Sequence, residues 1–267
     1  MKSLSIITIN YNNIPGLQKT MDSVFVQHYR NFEYIIIDGG STDGSKALIE
    51  AHAAKISLWV SEKDHGIYHA MNKGITAARG EYLLFLNSGD FLLDEHSLEQ
   101  GFFNNYSEDI ICADLKINAG GLYFTRHAPD TLSFDFFTKE TLPHQSAFIK
   151  RELFERAGLY DEDLKFVADW KFYLDVFCKF NATYRHIPET ICEYNYEGAS
   201  SLPENADILH KEREDILTTV YPMFYADYKK YDQSRAALKN YTSSRAHRFI
   251  NRVMQWPLYR IFIKKDS

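Results

Sequence analysis

Cysteine is scarce in this 267-residue chain. Cys112, Cys178 and Cys192 are odd in number and widely spaced, which excludes a disulfide framework and a paired-thiolate metal site and marks them as core residues. Long apolar runs are missing as well. None approaches the ~18 residues of a membrane span, and MKSLSIITINYNN meets Asn10 too early for a signal-peptide core, so a cytoplasmic protein is expected. Basic excess is absent: the net charge is −6. From Arg245 to Ser267 six basic residues face one acidic, so that tail carries +5 and the rest −11. A body this acidic argues against nucleic-acid binding, which draws its affinity mainly from basic surfaces. Neither G-x-G-x-x-G nor G-x-x-x-x-G-K-S/T occurs, and the first turn reads NYNNIPG. A bound diphosphate would need another device, most simply a divalent cation on carboxylate oxygen.

What is present is a large apolar complement. With 45% hydrophobic and 15% aromatic residues the chain can bury a sizeable core, enough for one α/β domain with an appendage. LSIITI (4–9), FEYIIID (32–38), SLWVSE (57–62) and EYLLFLN (81–87) read as strands, the nearly continuous apolar ones being covered on both faces. Amphipathic stretches at 15–29, 42–54 and 66–79 read as helices between them. In the last, Ile67, Ala70, Met71, Gly74 and Ile75 form the inward face, leaving Tyr68, His69, Asn72 and Lys73 on the other. Alternating strands and helices predict a doubly wound, mainly parallel sheet. Such sheets bind ligands at the carboxyl ends of their strands. Polar residues cluster there: Asn10 to Asn12, Asp38 to Ser41, Glu62 to Asp64 and Asn87 to Asp90. A further strand is expected at 109–114 and a hairpin within 120–140. A strand, a helix, a loop and a helix opened by Asp169 then follow, with Phe172, Val176 and Phe177 inward.

Five segments, SIITINYNN, IIIDGGSTDGS, SEKDHGIYHAMNKGITAARGEYLLFLNSGD, LPHQSAFIKRELFERAGLYDEDL and VADWKFYL, occur in the order and at the spacing of family-two glycosyltransferases of the GT-A fold. Over residues 3 to 200 the chain resembles bacterial enzymes that build capsular, exopolysaccharide or lipopolysaccharide units. The resemblance implies an inverting transfer from a nucleotide-diphospho-sugar to a hydroxyl of a glycan or lipid-linked acceptor. It implies donor contacts from Thr8, Asn10, Tyr11, Asp38, Gly40, Ser41, Asp64, Asn72, Lys73, Asn87, Ser88 and His144. Asp90 is the acid left of the family's D-x-D signature, and the resemblance makes it the ligand of Mg²⁺ or Mn²⁺. Asp169 would be the general base, a role worth about 10² to 10⁴ in rate. The plainer alternative for Asp169, charge–dipole stabilisation of a helix start, is worth about 0.3–1 kcal/mol. YNYEGASS (194–201) resembles a loop that closes over the donor.

The expected division is 1–203 for the transferase domain, with a nucleotide-sugar half (1–115) and an acceptor half (116–203), and 204–267 for a helical, basic extension. In that extension Phe249, Ile250, Val253 and Met254 recur at helical spacing among arginines. This suits an interfacial helix at the inner face of the cytoplasmic membrane, packing on the catalytic domain, or a homodimer contact. Two other readings stay open. One is a sugar nucleotidyltransferase, which would be expected to carry a Gly-rich basic first loop. The other is a non-catalytic, nucleotide-binding scaffold of a polysaccharide assembly complex.

Overall fold

β1 (Leu4–Asn10) and β2 (Phe32–Asp38) are almost wholly buried, as their unbroken apolar runs require. In the computed structural model, which describes residues 3–102, 106–195, 202–244, 248 and 252, they pair in parallel from Leu4 opposite Phe32 to Asn10 opposite Asp38. β3 (Leu58–Ser61) adds to β2 and β4 (Tyr82–Phe85) to β1, both parallel. This register sets Asn10, Asp38 and Ser61 side by side at the carboxyl edge.

The crossovers are α1 (Ile14–Phe25), α2 (Ser45–Ala51) and α3 (Ile67–Ala77). All three are shorter than expected, α1 and α2 because side chains claim the flanking backbone. Gln27 bonds Asp94 O and Leu98 N beyond the end of α1, and Asp43 turns the chain by accepting from Ser45 N and Ile14 N ahead of α2. The expected faces of α3 need correction. Ile67 is 45% exposed, whereas Tyr68 and Asn72 are buried. Ile67 overhangs in the first turn, and a later segment around Tyr160 covers the side expected to face solvent.

The second half runs β5 (Phe91–Leu92), α4 (Ser97–Phe102), β6 (Ile110–Ala119), β7 (Leu122–Arg126), α5 (Phe134–Phe137), β8 (Ala147–Lys150), α6 (Arg151–Ala157), α7 (Ala168–Phe180) and β9 (Tyr184–Asn195). The strand order is β3-β2-β1-β4-β8-β6-β9-β5, with β7 on the side of β6. The first four strands are parallel. β8 then enters antiparallel between β4 and β6, so the second half of the sheet is mixed. β6 and β7 form a hairpin that starts earlier than the one expected within 120–140, a range that contains only its turn and second strand and then α5. Phe154 and Phe172 stack at 4.2 Å, fastening α6 to α7, while Phe177 is half-buried. The three cysteines are free thiols, two of them buried.

Two compact units form, Met1–Asp215 and Ile216–Ser267. α8 (Ala206–Thr219) spans the division, and α9 (Pro222–Ser243) has no buried residue. The basic stretch from Arg245 lies outside the described residues apart from Arg248 and Arg252, as do residues 196–201 of the expected donor loop. No described helix is long and apolar enough to cross a membrane.

Candidate active site

At the carboxyl edge of β1 and β2 the chain turns on one carboxylate. Asp38 accepts from Asn10 Nδ2 (2.8 Å), Ser41 N (3.0 Å), Ser41 Oγ (2.5 Å) and Ser61 Oγ (2.7 Å). A carboxylate has about four lone-pair sites, so these bonds use its capacity. Burial raises its pKa, and the hydrogen bonds from Ser41, Ser61 and Asn10 outweigh that, holding it below the ordinary value. Asp38 is thus a brace for the edge, with no lone pair left to read a base. Ser41 Oγ also takes Asn12 N at 2.8 Å. Thr8 is fully buried and donates to Leu86 O at 2.8 Å, tying β1 to the segment after β4 and not facing the crevice. Gly40 has φ +79, and a Cβ there would press on Lys63 N at 3.2 Å. That geometry strains any residue with a side chain.

Acceptor capacity is left on Asp64. Its Oδ1 takes Lys73 Nζ (2.6 Å) and His69 Nδ1 (3.1 Å), while Oδ2 is buried and has no partner among the described residues. Oδ2 lies beside Gly39, where a Cβ would be 3.2 Å from both it and the Tyr11 ring. Tyr11 is 68% exposed. Asp64 Oδ2 and the Tyr11 ring therefore flank the buried Gly39, and Tyr11 is the exposed member of the three. Lys73 also pairs with Glu62 at 2.7 Å. Burial would lower its pKa, but Asp64 and Glu62 raise it, so it stays cationic. Asn72 is committed elsewhere. Its amide exchanges two bonds with Tyr160, N–H to O and O to N–H at 2.9 Å each, and donates to Glu162 at 2.8 Å.

The Asn87–Asp90 turn follows β4. Asp90 N bonds Asn87 O at 2.9 Å, and α1 pins the turn from below: Thr20 Oγ1 donates to Asp90 O (2.7 Å) and accepts from Gly89 N (3.0 Å). Asn13 Nδ2 holds Ser88 O at 2.9 Å. The Asp90 side chain is buried, with Oδ1 accepting from Asn195 N at 3.2 Å, and burial pushes its pKa up to about 7. Asn87 Oδ1 is buried and has no partner among the described residues. A buried carboxylate with a raised pKa and an orphaned carbonyl oxygen in the same turn are the donor chemistry of a hard divalent cation, which takes oxygen ligands and completes its shell with water and phosphate.

Asp169, in the first turn of α7, accepts from Tyr68 OH at 3.0 Å on Oδ1 and from His144 Nδ1 at 3.2 Å on Oδ2. The other imidazole nitrogen, Nε2, meets Asn87 Nδ2 at 3.3 Å. Because an ionised carboxylate only accepts, the proton between His144 and Asp169 sits on Nδ1. Burial would raise the Asp169 pKa, but the hydrogen bond and charge of His144, Trp170 N and Tyr68 bring it below the ordinary value. A chain of contacts thus runs from Asn87 through His144 to a carboxylate that is ionised at neutral pH and 14% exposed.

The sequence reading missed Tyr68, Ser61, Thr20 and Asn13. Asn13 and Thr20 could have been found from their place at the N-cap and about two turns into α1, facing the strand ends. Tyr68 carried no such signal, because its partner is 101 residues away.

Residues 5–156 match Glycosyl transferase family 2. An uncharacterized glycosyltransferase of Mycobacterium tuberculosis, Rv1514c, is 32% identical over 206 residues, 74% of this chain and 77% of that one. The crystal structure of S. aureus TarS 1–349 in complex with UDP-GlcNAc aligns with a TM-score of 0.61 at 18% identity, over 74% of this chain and 59% of TarS 1–349. The mannosyltransferase PcManGT of Pyrobaculum calidifontis, solved in complex with GDP-Man and Mn²⁺, aligns with a TM-score of 0.58 at 17% identity, over 98% of this chain and 83% of that one. The two structures share the GT-A fold with this chain. With more than half its length matched and the strand-end turns in place, the chain belongs to glycosyl transferase family 2.

Proposed function

We propose that this glycosyltransferase moves a sugar from a nucleotide-diphospho-sugar to a hydroxyl of a glycan or lipid-linked acceptor, with inversion, in the biosynthesis of a surface polysaccharide at the cytoplasmic face of the membrane. The observation that carries the reading is the chain Asn87–His144–Asp169, which ties the candidate metal turn to an ionised carboxylate. Asp169 takes the proton of the acceptor hydroxyl as its oxygen bonds the anomeric carbon. The bond from that carbon to the diphosphate oxygen breaks with its electron pair, and the nucleoside diphosphate leaves. A single in-line displacement inverts the centre without a covalent intermediate. His144 Nδ1–H and Tyr68 OH orient the base. Asp64 Oδ2 offers a hydrogen-bond acceptor to the nucleoside beside Tyr11, and Lys73 faces the same edge. Asp90, with Asn87 Oδ1, would hold Mg²⁺ or Mn²⁺, which when bound neutralises charge on the leaving diphosphate. The complexes of TarS with UDP-GlcNAc and of PcManGT with GDP-Man and Mn²⁺ support a nucleotide-sugar donor of this kind.

A thermal-shift panel of nucleotide-sugars with and without Mn²⁺ tests the reading, since a ligand bound only to the folded state raises its apparent stability. At least one nucleotide-sugar should stabilise the protein more with Mn²⁺ and be slowly hydrolysed. No shift with any of them would overturn the proposal, and a shift with no release of nucleoside diphosphate would favour the scaffold.

A further inference from the structure

Among the described residues Arg213 is a cation without an anion. It lies in α8, where its neighbour Glu212 accepts from Lys165 N (2.6 Å) and Phe166 N (3.0 Å) just ahead of α7. This tie brings Arg213 to the start of α7. Its guanidinium sits 5.1 Å over the ring of Trp170, the residue after Asp169, and Nη1 makes a long bond to Lys139 O at 3.4 Å. Trp170 is itself fixed, because Nε1 donates to Phe137 O at 2.7 Å. Arg126, Arg151, Arg185 and Arg235 each hold a carboxylate within ion-pair distance. Among the described residues Arg213 holds none, and its Nε is buried with no acceptor. Buried charges are normally paired, because leaving water without a partner is unfavourable. Burial accordingly draws the Arg213 pKa down, with Asp169 and Glu140 opposing too weakly to restore it.

The position says which substrate the missing anion belongs to. Every fixed partner of Arg213 and Glu212 lies between Phe137 and Trp170, in the half that carries the base, whereas Tyr11, Asp64 and Lys73 come from the nucleotide edge. The neighbouring cation, Arg126, is already matched by Glu140 at 2.9 Å, so the unspent charge is that of Arg213. A guanidinium fork suits phosphate and carboxylate alike.

We propose that Arg213 binds an anionic group of the acceptor, a phosphate or a carboxylate, and so holds the attacking hydroxyl at Asp169. The proposal rests on the reading of Asp169 as the base.

The test is calorimetric titration of the full chain with glycerol phosphate, glucuronate and glycerol, and separately with nucleoside diphosphate and Mn²⁺. One of the two anions should bind and glycerol should not. Arg213→Gln should weaken the anion by about tenfold or more, and Arg213→Lys, which keeps charge but loses the planar fork, should recover part of it. Nucleotide affinity should stay within about twofold in both variants. Preference for glycerol phosphate over glucuronate identifies a phosphate-bearing acceptor, and the reverse a uronic acid. If neither anion binds, or both bind wild type and Arg213→Gln alike, the subsite does not exist. Loss of nucleotide together with anion would make Arg213 part of the donor clamp and overturn the assignment. The anion titration requires no turnover, so its result stands whatever the donor panel returns.

Discussion

The Tyr68 hydroxyl donates to Asp169 Oδ1 across 3.0 Å, joining α3, which carries Lys73, to the helix that carries the proposed base. Tyr68 cannot ionise in competition, since burial and then the Asp169 charge raise its pKa well above the ordinary tyrosine value. The bond stabilises the ionised carboxylate, so removing it must raise the Asp169 pKa. Tyr68→Phe keeps the ring and removes the donor. The acidic limb of kcat/KM against pH should move up by about one unit with little change in melting temperature. A limb that stays in place would reduce Tyr68 to a packing residue.

Asp169→Asn preserves shape at the helix start and removes proton affinity. Turnover should fall by about 10² or more while donor binding stays nearly intact. A drop smaller than about fivefold would mean that Asp169 serves only the start of α7 and that another group takes the proton.

Strand ends were the legible part of this sequence. The apolar runs at 4–9, 32–38 and 81–87 fixed which turns face the crevice, because a strand buried on both faces has few other ways to read. Roles within those turns were not legible to the same degree. Asp38 looks like a ligand-reading acid until Ser41 and Ser61 are seen to fill its lone pairs. Asn72 looks solvent-facing until the 160–162 loop covers it. Both outcomes depend on partners brought from other strands, and periodicity reports only one element at a time. The mixed half of the sheet was opaque for the same reason. Insertion of β8 between β4 and β6 is decided by tertiary pairing, not by local pattern.

Asp90 yields a metal prediction whose sign follows from burial. Its pKa in the fold, about 7, lies above the unfolded value, so the fold favours the protonated acid. The apo protein should therefore lose stability as pH rises from about 4 to 7, as an uncompensated carboxylate develops. Protons and Mn²⁺ compete for the same group. Apparent Mn²⁺ affinity should climb by up to about tenfold per pH unit below 7 and level off above it. Asp90→Asn should abolish Mn²⁺-dependent nucleotide binding while leaving the apo protein at least as stable at pH 8. Calorimetry that finds the same Mn²⁺ dependence in the variant would remove Asp90 from the metal site.

On the β6–β9 pair, His186 donates from both ring nitrogens, to Asp130 at 2.7 Å and to Asp114 at 2.8 Å, and is therefore an imidazolium. Burial would lower its pKa, but Asp130 and Asp114 raise it above the ordinary value. A raised histidine contributes stability that is complete below the unfolded pKa of about 6.5 and is lost as pH climbs through the folded one. Asp130 is nearly fully exposed, so Asp114 supplies most of the effect. His186→Gln should cost about 1–3 kcal/mol at pH 6 and distinctly less at pH 9, read by denaturant unfolding at both. An equal cost at the two values would mean that His186 contributes by shape and not by charge.

The seat of α3 on β1 is set by Gly74, where a Cβ would stand 2.5 Å from Ile7 Cγ2 in the fully buried face of β1. Alanine favours a helix over glycine by about 1 kcal/mol, yet overpacking a tight core costs about 1–3 kcal/mol. The clash should win, because Ile7 is β-branched, wholly enclosed and unable to turn the methyl aside. Gly74→Ala should therefore lower the melting temperature. It should also slow turnover, since lifting α3 shifts Tyr68 from Asp169 and Lys73 from Asp64 together. Ile7→Ala removes the obstructing methyl, so the double variant should be more stable than the sum of the single losses predicts, with a coupling of about 1 kcal/mol or more. Strict additivity in that cycle would show that α3 is positioned by its contacts with the Tyr160 loop and not by its fit against β1.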